Sequence, residues 1–137
     1  MKVVFDTNVV ISGLLWQGLP NRLLRLVKHG ELELCLSRSI VEEVSRVLSE
    51  AKFSHRIIVL NTSVEELIAG LSKLSKIYPD EIISPAVKAD PDDDRVLSCA
   101  LTSGAKYIVT GDSHLLELEN WSGISILTPR QFLNIIK

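Results

Sequence analysis

The chain has 137 residues, of which 46% are hydrophobic and 23% charged, and this length fits one domain with a sizeable core. Its formal net charge of −2 excludes the broad basic surface with which a protein holds duplex nucleic acid by charge alone. No signal peptide and no apolar run long enough to span a bilayer is visible. We therefore expect one cytoplasmic domain over residues 1–137, in which Cys35 and Cys99 are buried free thiols.

The first half of the chain predicts two buried strands separated by helices. KVVF and LELCL are continuous apolar runs of strand length, and a leucine-rich helix between them ends near Gly30. The next helix begins at Ser37 or Ser39, either of which can cap it, and reaches about Glu50. The segment KFSHRIIVLNT that follows fits a short helix or an extended segment.

The second half alternates strands and helices in the same way. VEELIAGLSKLSKIY predicts an amphipathic helix that runs into a short strand, and DPDDD leads into a helix that ends near Ser103. KYIVT and ISIL predict strands, HLLEL predicts a short helix, and Pro129 suits the first turn of a last helix. Strands that alternate with helices pair in parallel through right-handed crossovers. We therefore predict an α/β fold with a three-layer α/β/α arrangement and a mostly parallel sheet.

Four acidic residues lie where a strand ends or a helix begins. They are Asp6, Glu43, Asp93 and Asp112. Ligands of an open α/β sheet bind outside the carboxyl ends of its strands, so one fold can gather all four at one place. Taken singly, each aspartate is better explained as a helix cap that accepts a backbone hydrogen bond.

Helical geometry separates the inward-facing acids from their neighbours. In SIVEEVSRVL, Glu43 borders the apolar stripe beside Val47, whereas Glu42 points nearly opposite. In DPDDDRVLSCA, Asp93 shares the inward face of Val96. We therefore expect Glu43 and Asp93 to reach a site at the edge of the core. A solvated glutamate on the flank of the helix explains Glu43 equally well.

Asp6 and Asp112 have similar surroundings in the sequence. Asp6 follows the strand KVVF and has Asn8 nearby, and Asp112 follows YIVTG. We expect Thr110 to hydrogen-bond a neighbouring carboxylate and Gly111 to let the backbone turn sharply. Two aspartates at strand tips are harder to explain as caps than one.

Four carboxylates gathered at one place predict a divalent metal site. Their mutual repulsion shifts protons onto some of them unless a cation shares the site. Oxygen ligands without histidine or cysteine select Mg²⁺ or Mn²⁺. Such an ion lowers the pKa of a bound water, orients a phosphodiester and stabilises its leaving oxygen.

The chain resembles the PIN-domain nucleases over nearly its whole length. Four segments occur in the family's order and at its approximate spacing: KVVFDTNVVISGLL, SRSIVEEVSRVL, DPDDDRVLSCAL and YIVTGDSHLL. The chain is most similar to the compact prokaryotic branch of VapC-type toxin ribonucleases. The resemblance implies a parallel five-stranded sheet, Mg²⁺- or Mn²⁺-dependent hydrolysis of single-stranded RNA, a homodimer and an antitoxin partner.

The resemblance also assigns residues, and it gives the metal-binding and catalytic positions to the four acids. Asn8 and Thr110 match polar positions that support the site, and Asp94 lies beside Asp93, so that the two can trade roles. One position departs from the pattern, because His114 stands where this branch often has an acid. An exposed histidine at a helix start explains His114 better than a phosphate donor does.

These assignments lead to a mechanistic hypothesis. The three aspartates hold one ion, and Glu43 binds a second ion or orients the attacking water. Arg38 and Arg46 are candidates for contacts to substrate phosphates. A solvated face explains most of the basic residues of this region more simply.

Other functions fit part of the pattern. A haloacid-dehalogenase-like phosphatase would use Asp6 as its nucleophile, but it usually needs a second aspartate where Asn8 stands. A non-catalytic module that binds RNA or a partner would keep the fold and use the acids only to tune charge. Within the PIN family, an RNA-processing or quality-control nuclease without an antitoxin is the alternative to a toxin. The apolar segments 14–16 and 23–27 could offer a groove to an antitoxin, although core packing explains them better.

Overall fold

This computed structural model describes residues 1–81 and 91–136, and the side chains of residues 91–93 lie outside that description. The strands within these ranges are β1 (Lys2–Phe5), β2 (Glu33–Ser37), β3 (Lys76–Tyr78), β4 (Tyr107–Val109), β5 (Asn120–Trp121) and β6 (Ile124–Leu127). They form one sheet in the order β3-β2-β1-β4-β6-β5, and only β5 and β6 pair antiparallel. The predicted α/β fold with a mostly parallel sheet is therefore confirmed.

The sheet has one strand more than the five expected. The additional strand β5 forms a hairpin with β6, in which Trp121 pairs with Ile124. Ser122 and Gly123, the two residues between them, both have positive φ, at 50° and 80°. Two consecutive residues with positive φ are typical of the tight hairpin turns whose twist matches that of the strands. A strand of two residues is too short to show any periodicity in the sequence.

Helices connect most of the strands along the chain. They are α1 (Thr7–Leu15), α2 (Leu19–Lys28), α3 (Arg38–Leu48), α4 (Ala51–Val59), α5 (Val64–Leu74), α6 (Pro91–Ser103), α7 (Ser113–Leu116) and α8 (Pro129–Ile136). The segment that fitted two conformations is the helix α4, because Phe53 and Ile57 lie one turn apart and face the core. Across the described ranges, none of these helices has the length and apolarity of a membrane span.

The central strands β1, β2 and β4 are largely buried, as expected of parallel strands covered by helices, whereas the border strands β3 and β5 are partly exposed. Val3, Val4 and Phe5 of β1 are fully buried, and α6 packs across β1, β2 and β4. Cys35 and Cys99 are buried free thiols, as predicted, and the Cys99 Sγ lies 3.8 Å from the Cys35 carbonyl oxygen. Burial raises the pKa of the Cys99 thiol to about 12, so this thiol stays protonated and unreactive.

The two central strands fix which side chains meet at the edge of the sheet. β1 and β4 are parallel neighbours, and Phe5 at the end of β1 pairs with Val109 at the end of β4. Asp6 and Thr110, the residues that follow, therefore leave the sheet side by side. The backbone N–H of Asp6 donates to the carbonyl of Val109 at 3.1 Å and extends the ladder by one residue.

Helices α1 and α2 approach each other closely at Gly13. Leu23, Leu24 and Val27 of α2 are buried in the core, so core packing explains this apolar segment. A Cβ atom at Gly13 would lie 2.6 Å from Cδ1 of Leu24 and 3.1 Å from the carbonyl oxygen of Pro20. Glycine is therefore required here by space and not by backbone conformation.

Gly13→Ala is expected to lower the free energy of unfolding by about 1 kcal/mol or more, because overpacking outweighs the gain in helix propensity. Gly70 of α5 is the matched control, since a Cβ there meets nothing within 4 Å. Gly70→Ala should raise the free energy of unfolding by about 0.5–1 kcal/mol. Urea denaturation measures both changes, and a stabilising Gly13→Ala would contradict the packing of α1 on α2.

Candidate functional site

Asp6 occupies the point where β1 ends and α1 begins. Its backbone is extended, and its Oδ1 accepts a hydrogen bond from the backbone N–H of Val9 at 3.0 Å, so it is the N-cap of α1. The side chain is nonetheless buried, with 8% of the residue exposed. A cap at the surface needs no such burial, and the second carboxylate oxygen is left to contact the neighbouring strand.

The hydroxyl of Thr110 joins the two strand ends. Thr110 is fully buried, and its Oγ1 donates a hydrogen bond to Oδ2 of Asp6. The same Oγ1 accepts a hydrogen bond from the backbone N–H of Asp112 at 3.0 Å. Since the Thr110 backbone N–H donates to Leu127 of β6 at 2.9 Å, the hydroxyl is held by the sheet itself. The predicted bond between Thr110 and a neighbouring carboxylate is therefore present, and the carboxylate is that of Asp6.

Asp112 lies beyond Thr110 and caps the short helix α7. Its Oδ1 accepts from the backbone N–H of His114 at 2.7 Å, and the side chain of His114 is exposed. Gly111, which was expected to let the backbone turn sharply, does not have a positive φ. A Cβ atom at Gly111 would meet nothing within 4 Å, so the turn itself does not require glycine.

The electrostatics of Asp6 reflect both its burial and its neighbour. Burial is the largest influence and raises the pKa of the Asp6 carboxyl above its ordinary value, and the negative charge of Asp112 raises it further. Hydrogen bonds from Thr110 and from the backbone of Val9 and Asn8 act in the opposite direction. The side chain of Asn8 is exposed, so its described contribution to Asp6 comes from its backbone. The two carboxylates therefore repel each other in the absence of a cation.

Glu43 projects from α3 and is engaged in ion pairs. Its side chain is 12% exposed, whereas Glu42 is exposed, as the helical geometry predicted. Its Oε2 lies 3.1 Å from Nη1 of Arg95 on α6 and 4.0 Å from Nη2 of Arg46. The structure thus joins Glu43 to the first turns of α6, and the described contacts of Glu43 go to these arginines and not to Asp6.

Two of the predicted residues belong to the start of α6. The backbone of Asp93 is helical, and its side chain lies outside the described residues, so the predicted inward orientation is not tested. Asp94 is half-buried. Among the side chains that the structure describes, no group of three or more His, Cys, Asp or Glu residues is arranged to hold a metal ion. Asp6 and Asp112 are the two acids that the described contacts bring together.

This donor set fits a hard divalent cation. The oxygen atoms of Asp6 and Asp112 are hard ligands of the kind that Mg²⁺ and Mn²⁺ prefer. A cation between the two carboxylates would relieve the repulsion that raises the pKa of Asp6. Further ligands would have to come from Glu43 or from the aspartates at the start of α6.

The predicted substrate-binding arginines are both exposed on α3. Arg38 is the first residue of the helix, next to the carboxyl end of β2, and Arg46 lies one turn beyond Glu43. Their position on the helix that carries Glu43 is compatible with contacts to a bound strand.

Sequence reasoning missed two polar residues near the site. Arg95 directly follows a run of acids, and the acids drew the interpretation of this segment. The positive charge of Arg95 was the one signal that could have indicated an ion pair with Glu43. Asp80 follows β3 and accepts hydrogen bonds from the backbone N–H and the hydroxyl of Ser39 on α3. Ser37 caps α3, and Ser39 instead ties the end of β3 to the start of that helix. A Pro-Asp pair after a short strand is a common turn signal, which gave no reason to expect this contact.

The metal-free protein should lose stability relative to Asp6→Asn as the pH rises above about 4, the ordinary pKa of an aspartate. The folded-state pKa of Asp6 is raised, so its contribution is complete below the unfolded pKa and is lost as pH rises through the folded pKa. Asparagine does not ionise and lacks this loss. Denaturant unfolding in EDTA at several pH values measures the difference, with the exposed Glu42→Gln as control. Parallel pH profiles for wild type and Asp6→Asn would contradict the raised pKa.

Comparison with known proteins agrees with this fold. A PIN-domain family model matches residues 2–114. No curated protein matches the chain. Among solved structures, the chain is similar to one in the crystal structure of VapBC2 from Rickettsia felis bound to a DNA fragment from their promoter, with a TM-score of 0.59 and 14% identity over 92% of this chain and 97% of that chain. Because the family model spans most of its length, the chain belongs to the PIN-domain family.

Proposed function

We propose that this protein is a divalent-metal-dependent endoribonuclease that hydrolyses phosphodiester bonds of single-stranded RNA. The observation that carries the proposal is the hydrogen-bonded link from Asp6 through the Thr110 hydroxyl to the backbone of Asp112. It holds two carboxylates at the carboxyl edge of a parallel sheet, where ligands of α/β folds bind. PIN-domain nucleases generally use divalent metal ions, and the oxygen donors here suit Mg²⁺ or Mn²⁺.

Each side chain has a proposed role in binding or positioning. Asp6 and Asp112 would hold the ion together with Asp93, with Asp94 as its alternative, and Glu43 would bind a second ion or orient the attacking water. When bound, the ion supplies an activated water and neutralises charge on the leaving oxygen. Thr110 keeps the Asp6 carboxylate in one orientation, so little reorganisation is needed when the ion binds.

Asp6→Asn should reduce cleavage of single-stranded RNA about a hundredfold or more. Even the loss of a residue that only orients a metal ligand can reduce activity up to about a hundredfold. EDTA should abolish cleavage, and Mn²⁺ or Mg²⁺ should restore it. Product analysis should find 5′-phosphate and 3′-hydroxyl ends, because water and not the RNA 2′-hydroxyl is the proposed nucleophile.

Glu43→Gln and Glu42→Gln form a matched pair for this assay, because they are neighbours on α3 and only Glu43 is turned towards α6. Glu43→Gln should lower the rate, and Glu42→Gln should leave it unchanged. Cyclic phosphate ends, or full activity in EDTA, would rule out the proposed mechanism. Metal-dependent RNA binding without any cleavage would instead favour a non-catalytic RNA-binding module.

Arg95 would compete with the ion for Glu43. Its guanidinium lies 3.1 Å from the carboxylate that the proposal assigns to the metal or to the water. A positive charge at this distance disfavours a second positive charge on the same oxygen atoms. Glu43 therefore has to leave Arg95, at least in part, before it can contact a divalent ion.

Arg95→Gln should tighten Mn²⁺ binding about threefold, a modest change because the arginine is partly exposed and screened by solvent. The Arg46→Gln variant is the matched control, since Arg46 contacts the same oxygen only at 4.0 Å and its side chain is 68% exposed. Electron paramagnetic resonance of free Mn²⁺ reports affinity without any need for turnover. Weaker Mn²⁺ binding by Arg95→Gln would mean that Arg95 orients Glu43 for the ion.

The biological context is proposed from the fold relative. The similar chain belongs to VapBC2, which was solved on a fragment of promoter DNA. We propose by analogy that this protein is the toxin of a toxin-antitoxin pair. A small DNA-binding protein encoded directly upstream would support this, whereas its absence would favour RNA processing or quality control. The homodimer that the resemblance to this branch of the family implies is a separate proposal. A phosphatase is not proposed, because Asp6 is fixed by Thr110 and the family match is to the PIN domain.

A further inference from the structure

An exposed tryptophan at the end of α1 forms a cluster with α4. We call this cluster of Trp16, Lys52, Phe53 and Arg56 the Trp16 surface. Trp16 is 44% exposed, and its ring meets the ring of Phe53 edge-on, with the centroids 6.0 Å apart at 62°. The Arg56 guanidinium carbon lies 5.9 Å from the centroid of Trp16, and Lys52 Nζ lies 5.2 Å from that of Phe53. A positively charged side chain therefore lies over each of the two aromatic rings.

The arginine of this surface is fixed in place and its charge is not neutralised. Arg56 Nε donates a hydrogen bond to the carbonyl of Leu15 at 2.7 Å, which directs the guanidinium to the end of α1. Within residues 1–81 and 94–136, no carboxylate lies within ion-pair distance of Arg56. Lys52 pairs with Glu50 at 3.7 Å, but both side chains are exposed, so the pair is weak. The surface is thus positive although the whole chain is not.

The Trp16 surface lies one helix length from the acidic site. Asp6 caps the start of α1 and Trp16 follows its end, so the helix of nine residues between them separates the two by about 15 Å. Helices α1 and α3 follow neighbouring parallel strands and pack against each other. On α3, Arg46 follows Glu43 by one turn in the direction of α4, and its side chain is 68% exposed. Arg46 is therefore an exposed positive side chain on the helix that leads from Glu43 to α4.

We propose that the Trp16 surface binds one base and an adjacent phosphate of the single-stranded RNA that is cleaved at the acidic site. Aromatic rings interleaved with cations are typical of surfaces that bind single strands, because bases stack on the rings and phosphates meet the cations. Trp and Arg are also enriched at protein interfaces, so binding of a second protein is the outcome that the test has to separate from binding of RNA. This inference rests on the proposed ribonuclease function and adds the place where the substrate is held.

Trp16 itself can report on the binding of RNA. The chain has two tryptophans, so Trp121→Phe leaves Trp16 as the sole source of tryptophan fluorescence. In EDTA, where no cleavage is expected, an oligoadenylate of about ten nucleotides should quench this fluorescence in a saturable titration. An abasic strand of equal length carries the same charge and should leave the fluorescence largely unchanged, because it has no base to stack.

Variants of the Trp16 surface measure how much each contact contributes to the affinity for RNA. Trp16→Ala should weaken binding of labelled oligoadenylate about tenfold, measured by fluorescence anisotropy, and Trp16→Phe should retain most of the affinity. Arg56→Gln should weaken binding about threefold. Arg130→Gln removes an exposed arginine of α8 and should have no effect. Thermal melts establish that each variant is folded, and Trp16→Phe tests the contact where Trp16→Ala is unstable.

The outcomes separate this inference from the proposed function. RNA cleavage without quenching of Trp16 overturns the inference alone, and quenching without cleavage supports the inference while it contradicts the hydrolytic function. Equal quenching by the abasic strand overturns the stacking contact. If Trp16→Ala converts a dimer to a monomer and leaves RNA affinity unchanged, the surface binds a second copy of the chain and the inference is wrong.

Discussion

The hydroxyl of Thr110 connects two strand ends that carry like charges. Its oxygen is buried between Asp6 and the backbone of Asp112, and its own backbone continues the ladder between β4 and β6. The spacing between the Asp6 carboxylate and the backbone of Asp112 is therefore set by neighbouring parallel strands. Every proposed step at this site depends on that spacing, because a divalent ion accepts only a narrow range of oxygen positions.

The acids proposed for the metal differ in the charges around them. Asp6 is buried against the sheet, and this burial is the main cause of its raised pKa, to which the negative charge of Asp112 adds. Glu43 lies on α3, and two arginines lie within 4.0 Å of its carboxylate. Among the described residues no cation pairs with Asp6, whereas Glu43 has two cations nearby. If both acids hold the ion, as proposed, the ion would meet less competition at Asp6 than at Glu43.

The sequence predicted the parts of this structure that depend on period and local chemistry. The buried strands follow from continuous apolar runs of strand length, and the outward orientation of Glu42 follows from the helical repeat of 3.6 residues. A hydrogen bond from Thr110 to a neighbouring carboxylate was predicted, and the structure shows that this carboxylate is that of Asp6, at the end of the neighbouring strand. Contacts between distant segments were missed, because nothing local indicates that Arg95 meets Glu43 or that Asp80 meets α3.

The additional strand β5 bears on how copies of the protein can meet. Open sheets are prone to lengthen by pairing with a strand from another molecule, and short or strongly twisted border strands discourage this. Here the described borders of the sheet are β5, with two residues and a tight turn, and β3, with three residues. Neither offers a useful template for backbone pairing. Self-association of this protein would therefore have to use side chains on its helices, and a continuous intermolecular sheet is disfavoured.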